Sequence, residues 1–139
     1  MPEMQVEYRS EPPSAEQFAA LFETTGWNRL YQAAPEELAA ALANSQLCIS
    51  AYDGARLVGF GRVVSDGVIH ALIFDMIVDP EYQRGGIGTE VLRRLLAWCQ
   101  DRRIRDIQLF CARGKRGFYE KNGFTARPED APGMQFSRR

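Results

Sequence analysis

The residues best suited to chemistry form a glycine-rich turn, Gln83-Arg84-Gly85-Gly86-Ile87-Gly88-Thr89, between an apolar run and an amphipathic segment. Glycine lets the main chain approach a bound group closely and adopt conformations that other residues resist. A helix that begins at such a turn adds unpaired N–H donors and the positive end of its dipole. The sequence therefore predicts an anion site here, with a phosphate group as the expected ligand.

Two well-known phosphate motifs fit this turn poorly. A nucleotide P-loop ends in Gly-Lys-Ser/Thr, whereas Gly88 is followed by Thr89 and Glu90. A dinucleotide fingerprint needs a third glycine where this chain has Val91, and it follows the first strand of a parallel unit. A purely structural strand-to-helix turn stays open as the alternative to a phosphate site.

The elements that must position the turn are predicted from periodicity and from capping signals. Ser14 with Gln17 matches a capping box, and Asp53-Gly54 is a strong hairpin signal. In chain order, we predict a strand at 5–9, helices from Ser14 and from Pro35, strands at 46–52, 56–64 and 68–78, a helix after Gly88, a strand at 107–111, a short helix at 115–121, and strands at 124–126 and 133–137. This order predicts an α+β fold with a mixed, mostly antiparallel central sheet and helices on both faces.

Composition narrows the class of protein further. The 139 residues carry a formal net charge of −1 and are 45% hydrophobic, which is typical of a single soluble domain over 1–139. Near-neutral charge gives no support for a nucleic-acid partner, and no apolar run is long enough for a membrane span. The first ten residues lack the apolar region of a signal peptide, so we expect a cytoplasmic location. Cys48, Cys99 and Cys111 lie in apolar segments and are predicted to be core thiols, with no metal site.

The segment from Val78 to Thr89 resembles the acetyl-coenzyme A signature of the GNAT superfamily of N-acetyltransferases. Its core pattern, Gln/Arg-x-x-Gly-x-Gly/Ala, is met by Gln83, Gly86 and Gly88. A second family block, Phe-Tyr-Glu-Lys-Asn-Gly-Phe, stands at residues 118–124. The resemblance covers roughly residues 56–126 well, and within the superfamily the chain is most similar to plant and cyanobacterial serotonin N-acetyltransferase-like proteins. It implies the GNAT fold.

The resemblance also implies how acetyl-coenzyme A is held as co-substrate. Main-chain amides at residues 84–89 hold the pyrophosphate, and the strand containing Met76 to Val78 pairs with the pantetheine arm. A free N–H of Met76 or Ile77 could then polarise the thioester carbonyl. The expected donor-binding residues are Met76, Ile77, Val78, Gln83, Arg84, Gly85, Gly86, Ile87, Gly88, Thr89, Phe118 and Lys121.

Two residues are candidates for catalysis. Tyr119 occupies the position of the family's usual general acid, although aromatic packing on a short helix is the alternative. Asp75 is a carboxylate inside an apolar strand run, where a charge needs a partner or a task. It could take a proton from the substrate ammonium, or it could be a structural carboxylate capped by an arginine or a backbone amide. The serotonin-type relatives carry a further acid where this chain has Ala112, so their mechanism does not transfer directly.

The acceptor is specified less clearly. Phe22, Trp27, Tyr31 and Phe74 are the expected acceptor-pocket residues, with core packing as the alternative. A basic cluster of Arg113, Lys115, Arg116 and Lys121 either contacts the phosphates of the donor or is an ordinary solvated face.

The expected function is direct, metal-free transfer of an acetyl group from acetyl-coenzyme A to a primary amine, and the expected acceptor is a small (aryl)alkylamine. The alternatives are a protein or peptide amine as acceptor, and a non-catalytic module that senses acyl-coenzyme A. The resemblance allows a homodimer, and no nucleic acid or membrane is expected as a partner.

Overall fold

The computed structural model describes residues 5–137, which form two compact units, residues 5–108 and residues 109–137. In chain order the elements are β1 (Val6–Arg9), α1 (Ala15–Glu23), α2 (Asn28–Tyr31), α3 (Pro35–Ala43), β2 (Leu47–Asp53), β3 (Arg56–Ser65), β4 (His70–Val78), a 3₁₀ turn (Pro80–Tyr82), α4 (Ile87–Asp101), β5 (Asp106–Leu109) and α5 (Arg116–Lys121). A single domain over 1–139 stays a prediction.

The five strands form one sheet in the order β1-β2-β3-β4-β5. The pairs β1–β2, β2–β3 and β3–β4 are antiparallel, and α4 forms the crossover from β4 to β5. The predicted α+β class, with a mixed and mostly antiparallel sheet, is confirmed. The predicted Asp53-Gly54 hairpin turn is present between β2 and β3. A second turn precedes β4, where the Asp66 carboxylate accepts the amides of Val68 and Ile69.

Helices cover both faces of the sheet, as predicted. On one face, Phe18 of α1 packs edge-on against Phe60 of β3 at 4.8 Å between ring centroids. Leu38 and Leu42 of α3 belong to the same buried cluster. Side chains alternate between the two faces of a strand, so Gly59 and Gly61, the neighbours of Phe60, face the other side. That second face is covered by α4.

The contact between α4 and β3 depends on these two glycines. A Cβ atom placed on Gly59 would lie 2.6 Å from Cγ2 of Ile87, and one placed on Gly61 would lie 2.8 Å from Cδ1 of Leu95 and 3.0 Å from Cγ1 of Val91. Ile87, Val91 and Leu95 are buried and recur at four-residue intervals along α4. The helix therefore packs closely on bare backbone, and its first residue, Ile87, is part of the contact.

The helices α1 and α3 begin where their capping signals predict. Ser14 caps α1 by accepting from the Gln17 amide at 3.1 Å, and Pro35 is the first residue of α3. The short helix α2 was missed because four residues carry too little periodicity to detect. Asn28 fixes the end of this helix, since its side chain bonds both the N–H and the C=O of Ala33 at 2.9 and 3.0 Å.

The last two predicted strands are wrong. Residues 124–126 and 133–137 form no strand in the described part of the chain. Pro128 and Pro132 lie between them and have no N–H to donate to a sheet, and Ala131 bonds back locally to the Pro128 carbonyl. The prediction of three core thiols is also wrong at one position, because Cys48 and Cys99 are buried but Cys111 is exposed.

The packing on Gly61 can be tested by Gly61→Ala. We expect this substitution to lower the free energy of unfolding by about 1–3 kcal/mol, because the added methyl group overpacks the space held by Leu95, Val91 and Met76. Urea denaturation followed by circular dichroism measures the change. The control is Gly117→Ala, since no atom lies within 4 Å of a Cβ at that helical position. A Gly61→Ala protein as stable as the control variant would contradict this account of the packing.

Candidate functional site

The glycine turn opens directly into α4, as the sequence predicts. Gly86 occupies the N-cap position with φ 81°, and Arg84 has φ 69°, so two of the turn's residues adopt left-handed backbone. The first backbone bond of the helix runs from the Glu90 N–H to the Gly86 carbonyl at 3.0 Å. The amides of Ile87, Gly88 and Thr89 therefore have no acceptor within the helix and can donate to an external anion.

A network of side chains supports the turn from its N-terminal side. Asp79 is 7% exposed and caps the 3₁₀ turn by accepting the Glu81 amide at 2.9 Å. The Arg56 guanidinium donates to the carboxylates of both residues, at 3.0 Å to Asp79 and 2.9 Å to Glu81. The Tyr82 hydroxyl donates to Asp53 at 2.6 Å, and this bond raises the pKa of the phenol. Asp79 thus caps this turn, and Arg56 is a further residue that the sequence analysis did not identify.

The Gln83 side chain fixes the position of the turn relative to β4. Its side-chain amide donates to the Val78 carbonyl at 3.2 Å, which links the start of the glycine turn to the end of β4. This side chain therefore bonds the protein's own backbone. The signature glutamine holds the turn and the strand in register, and the main chain of the turn is left available to a ligand.

β4 contains an irregularity beside the start of α4. Phe60 pairs with Ile77 and Arg62 pairs with Phe74, so Gly61 alone faces two residues, Asp75 and Met76. An extra residue of this kind is a β-bulge, and it disrupts the ladder of backbone bonds locally. Asp75 has φ 55°, which is uncommon for a residue with a Cβ atom. The bulge coincides with the residues expected to hold the thioester.

Asp75 is paired with an arginine that the sequence analysis did not identify. Nε of Arg62 donates to Oδ2 of Asp75 at 2.7 Å, and both side chains are largely buried, at 17% and 20% exposed. One of the two alternatives for Asp75, a carboxylate capped by an arginine, thus describes its contacts. No local pattern could have found Arg62, because its partner lies on the neighbouring strand and the pairing depends on register.

In the second unit, Tyr119 lies on α5 and is 9% exposed. Its ring packs edge-on against Phe118 at 5.0 Å and against Phe124 at 5.9 Å. Burial raises the pKa of Tyr119 to about 12, so the phenol remains protonated at neutral pH. The group can therefore donate a proton or a hydrogen bond over the whole physiological range.

The basic cluster of the second unit is solvent-exposed. Arg116 pairs with Glu120 at 3.4 Å on the surface of α5, and the other cations of the cluster are exposed as well: Arg113, Lys115 and Lys121. Exposed cations of this kind fit either of the two roles left open by the sequence.

The predicted acceptor residues lie in different environments. Phe22 is 3% exposed and stacks on Phe18 at 5.5 Å, so it belongs to the core. Trp27 and Phe74 are half-buried, and Tyr31 is 62% exposed. The Arg62 guanidinium lies 5.5 Å from the centroid of the Phe74 ring. Acceptor binding by these residues stays a prediction, and Phe22 contributes mainly as packing beneath Trp27 and Tyr31.

Residues 5–137 lack two further kinds of feature, a metal-binding cluster and a membrane-spanning helix. No cluster of three or more histidine, cysteine, aspartate or glutamate side chains is arranged to hold a metal ion. Within the same residues, no helix combines the length and the apolar character required to cross a bilayer.

Comparison with known proteins supports the motif assignment. Residues 3–124 match the model of the Acetyltransferase (GNAT) family. GCN5-related N-acetyltransferase 1, chloroplastic, from Arabidopsis thaliana is 32% identical over 94% of this chain and 66% of its own length. Serotonin N-acetyltransferase 2, chloroplastic, from Oryza sativa subsp. japonica is 36% identical over 60% of this chain and 42% of its own length. The predicted similarity to plant serotonin N-acetyltransferase-like proteins is confirmed, although the chain spans less than two thirds of either relative.

A solved structure agrees with the fold. An acetyltransferase of the GNAT family from Streptococcus pneumoniae superposes with a TM-score of 0.82 at 29% identity, over 97% of this chain and 99% of that one. The cytoplasmic location expected from the sequence is wrong by these comparisons, because both plant relatives are described as chloroplastic. On its matched sequence and its fold, the chain belongs to the GNAT family of acetyltransferases.

Proposed function

We propose that this protein transfers the acetyl group of acetyl-coenzyme A directly to the primary amine of a small (aryl)alkylamine. The observation that carries the proposal is the set of free amides at Ile87, Gly88 and Thr89, at the start of a helix that packs against the bulged strand β4. Membership of the GNAT family supports the reaction class. The similarity to a serotonin N-acetyltransferase supports an arylalkylamine as acceptor.

The donor would bind mainly to main-chain groups. The pyrophosphate would accept hydrogen bonds from amides within residues 84–89, where glycine at positions 85, 86 and 88 leaves no side chain to obstruct it. The pantetheine arm would extend along Met76, Ile77 and Val78. The bulge supports this assignment because it separates part of this strand from its β3 partner and frees backbone groups for a ligand.

The chemistry requires three events. The neutral amine forms a C–N bond to the thioester carbonyl carbon, and a main-chain N–H of Met76 or Ile77 stabilises the resulting oxyanion. The C–S bond then breaks, and the leaving thiolate takes a proton, for which we propose Tyr119 as the general acid. The attacking nitrogen releases its own proton to water, so the products are the N-acetyl amine and coenzyme A thiol. Water can restore the phenol proton.

The proposed reaction can be tested by thiol release from acetyl-coenzyme A. We expect turnover with a panel of arylalkylamines, and slower turnover with polyamines, aminoglycosides and lysine-containing peptides. A thiol-reactive dye gives the initial rates, and mass spectrometry identifies the acetylated product. Faster acetylation of peptides than of every small amine would replace the acceptor proposed here with a protein amine. Tight coenzyme A binding with no turnover on any amine would instead identify a sensor module.

The second prediction concerns donor binding by backbone. Gly86→Ala should raise the dissociation constant for coenzyme A about 10-fold, because the free variant relaxes from a left-handed conformation that costs a residue with a Cβ atom roughly 1–2 kcal/mol, and binding must restore it. Arg84→Asn should change it less than about threefold, since asparagine tolerates left-handed backbone and the ligand group is the amide. Isothermal titration calorimetry gives both constants. The matched control is Gly67→Ala, which places the same strain (φ 79°) in the turn before β4. Equal effects of Gly86→Ala and Gly67→Ala on binding would contradict the proposal.

The third prediction concerns Tyr119. Tyr119→Phe should lower kcat by roughly 10²-fold and leave the KM for acetyl-coenzyme A nearly unchanged, because it removes a proton donor and retains the ring packing. Since the pKa of Tyr119 is about 12, wild-type kcat should not fall through loss of this proton below about pH 10. Steady-state kinetics measure both effects, with Tyr8→Phe on β1 as the control for removing a tyrosine hydroxyl outside the proposed site. Unchanged kcat in Tyr119→Phe would exclude the residue as general acid.

A further inference from the structure

We propose that Arg62 is a positioning residue of the acetyl-transfer site, which holds the β4 bulge in the conformation that presents a main-chain N–H to the thioester oxygen. The inference rests on the proposed function, because the bulge matters to catalysis only where the thioester lies beside it. Arg62 acts through Asp75, and the role of Asp75 is therefore structural instead of proton transfer.

The position of Arg62 in the sheet places it beside the bulge. It is the β3 residue that pairs with Phe74, and the next two residues of β4, Asp75 and Met76, both face Gly61. Nε of Arg62 donates to Oδ2 of Asp75 at 2.7 Å. The same guanidinium lies 5.5 Å from the Phe74 ring centroid. The arginine thus contacts the last regularly paired residue and the first residue of the bulge.

The conformation of Asp75 explains why such a contact is needed. With φ 55°, this residue adopts left-handed backbone, which is uncommon for any residue with a Cβ atom, although aspartate tolerates it better than most. The ladder does not hold this conformation, because the residues at the bulge lack regular backbone pairing. A charge-assisted hydrogen bond between two largely buried side chains supplies a restraint in its place.

Arg62 also ties the bulge to the helix on the same face of the sheet. Nη1 donates to the Ala41 carbonyl at 3.4 Å, in the last turn of α3, and to the Ser45 hydroxyl at 3.2 Å, just beyond that helix. The C-terminal end of a helix is its negative pole, which favours a cation there. The guanidinium is therefore held by α3 at one side and holds Asp75 at the other, so its position does not depend on Asp75 alone.

Four variants test the proposal. Arg62→Met and Asp75→Ala should each lower kcat roughly 10- to 100-fold, with the KM for acetyl-coenzyme A changed less than about threefold, because the oxyanion donor is misplaced while pyrophosphate binding remains. Asp75→Asn should keep kcat within about threefold, since its carbonyl oxygen can accept from Nε and asparagine tolerates this backbone. Combining Arg62→Met with Asp75→Ala should lower kcat no further than either change alone.

A second measurement reports on the bulge without activity. Amide hydrogen exchange at Met76 and Ile77 should be faster in Arg62→Met and Asp75→Ala and unchanged in Asp75→Asn. The control is Arg93→Met, which removes an exposed arginine from its pair with Glu90 on α4 and should alter neither kcat nor exchange in β4. If Arg62→Met does not fold, Asp75→Asn and Asp75→Ala decide the question by the same readouts.

Two results would overturn the proposal. The first is a loss of kcat in Asp75→Asn as large as in Asp75→Ala, with a changed pH–rate profile and normal kcat in Arg62→Met, which would make Asp75 a proton acceptor. The second is unchanged exchange at Met76 and Ile77 in Arg62→Met. If the wild-type protein acetylates no amine but exchange accelerates as expected, the Arg62 contact stands and the proposed function fails.

Discussion

The close approach of α4 to bare backbone on β3 is the contact on which the rest of the site depends. Gly59 and Gly61 leave room for Ile87, Val91 and Leu95, and the first of these side chains belongs to the first residue of the helix. The amides at the start of α4 are therefore placed by core packing. If these amides bind an anion as proposed, the site would be preorganised, because the donors hold their positions before any ligand arrives.

Gly61 also brings α4 and the β4 bulge together. A Cβ on Gly61 would meet not only Leu95 but also the Met76 sulfur atom, at 2.7 Å, so β4 and α4 share one narrow space over β3. If α4 moved outward, Met76 would lose its cover. If the bulge in β4 changed, the surface on which Val91 and Leu95 pack would change with it. The phosphate end and the thioester end of the proposed donor site are therefore mechanically linked within the first unit, through packing that involves no catalytic side chain.

Sequence reasoning succeeded where the cause of a structure is local. The capping box at Ser14, the Asp53-Gly54 turn and the glycine turn before α4 each contain their own signal, and the structure has all three. It failed where the cause lies across the sheet. The bulge follows from a register between two strands, and the partner of Asp75 is 13 residues away on the neighbouring strand. Gly59 and Gly61 did carry a usable signal, since two glycines inside an apolar strand indicate a close backbone approach.

Main-chain recognition of the donor has a consequence for specificity. If backbone amides bind the pyrophosphate and β4 binds the pantetheine arm, the side chains of those segments are free to serve packing, as Ile87 and Met76 do. Discrimination between acceptors must then come from side chains elsewhere. Phe22 is a core residue and cannot change without disturbing the cluster around Phe18 and Phe60, whereas Tyr31 projects into solvent and can change freely. Under the proposed function, glycines and strand register would thus set the part of the site that binds the donor, and exposed side chains around α2 would set the part that binds the acceptor.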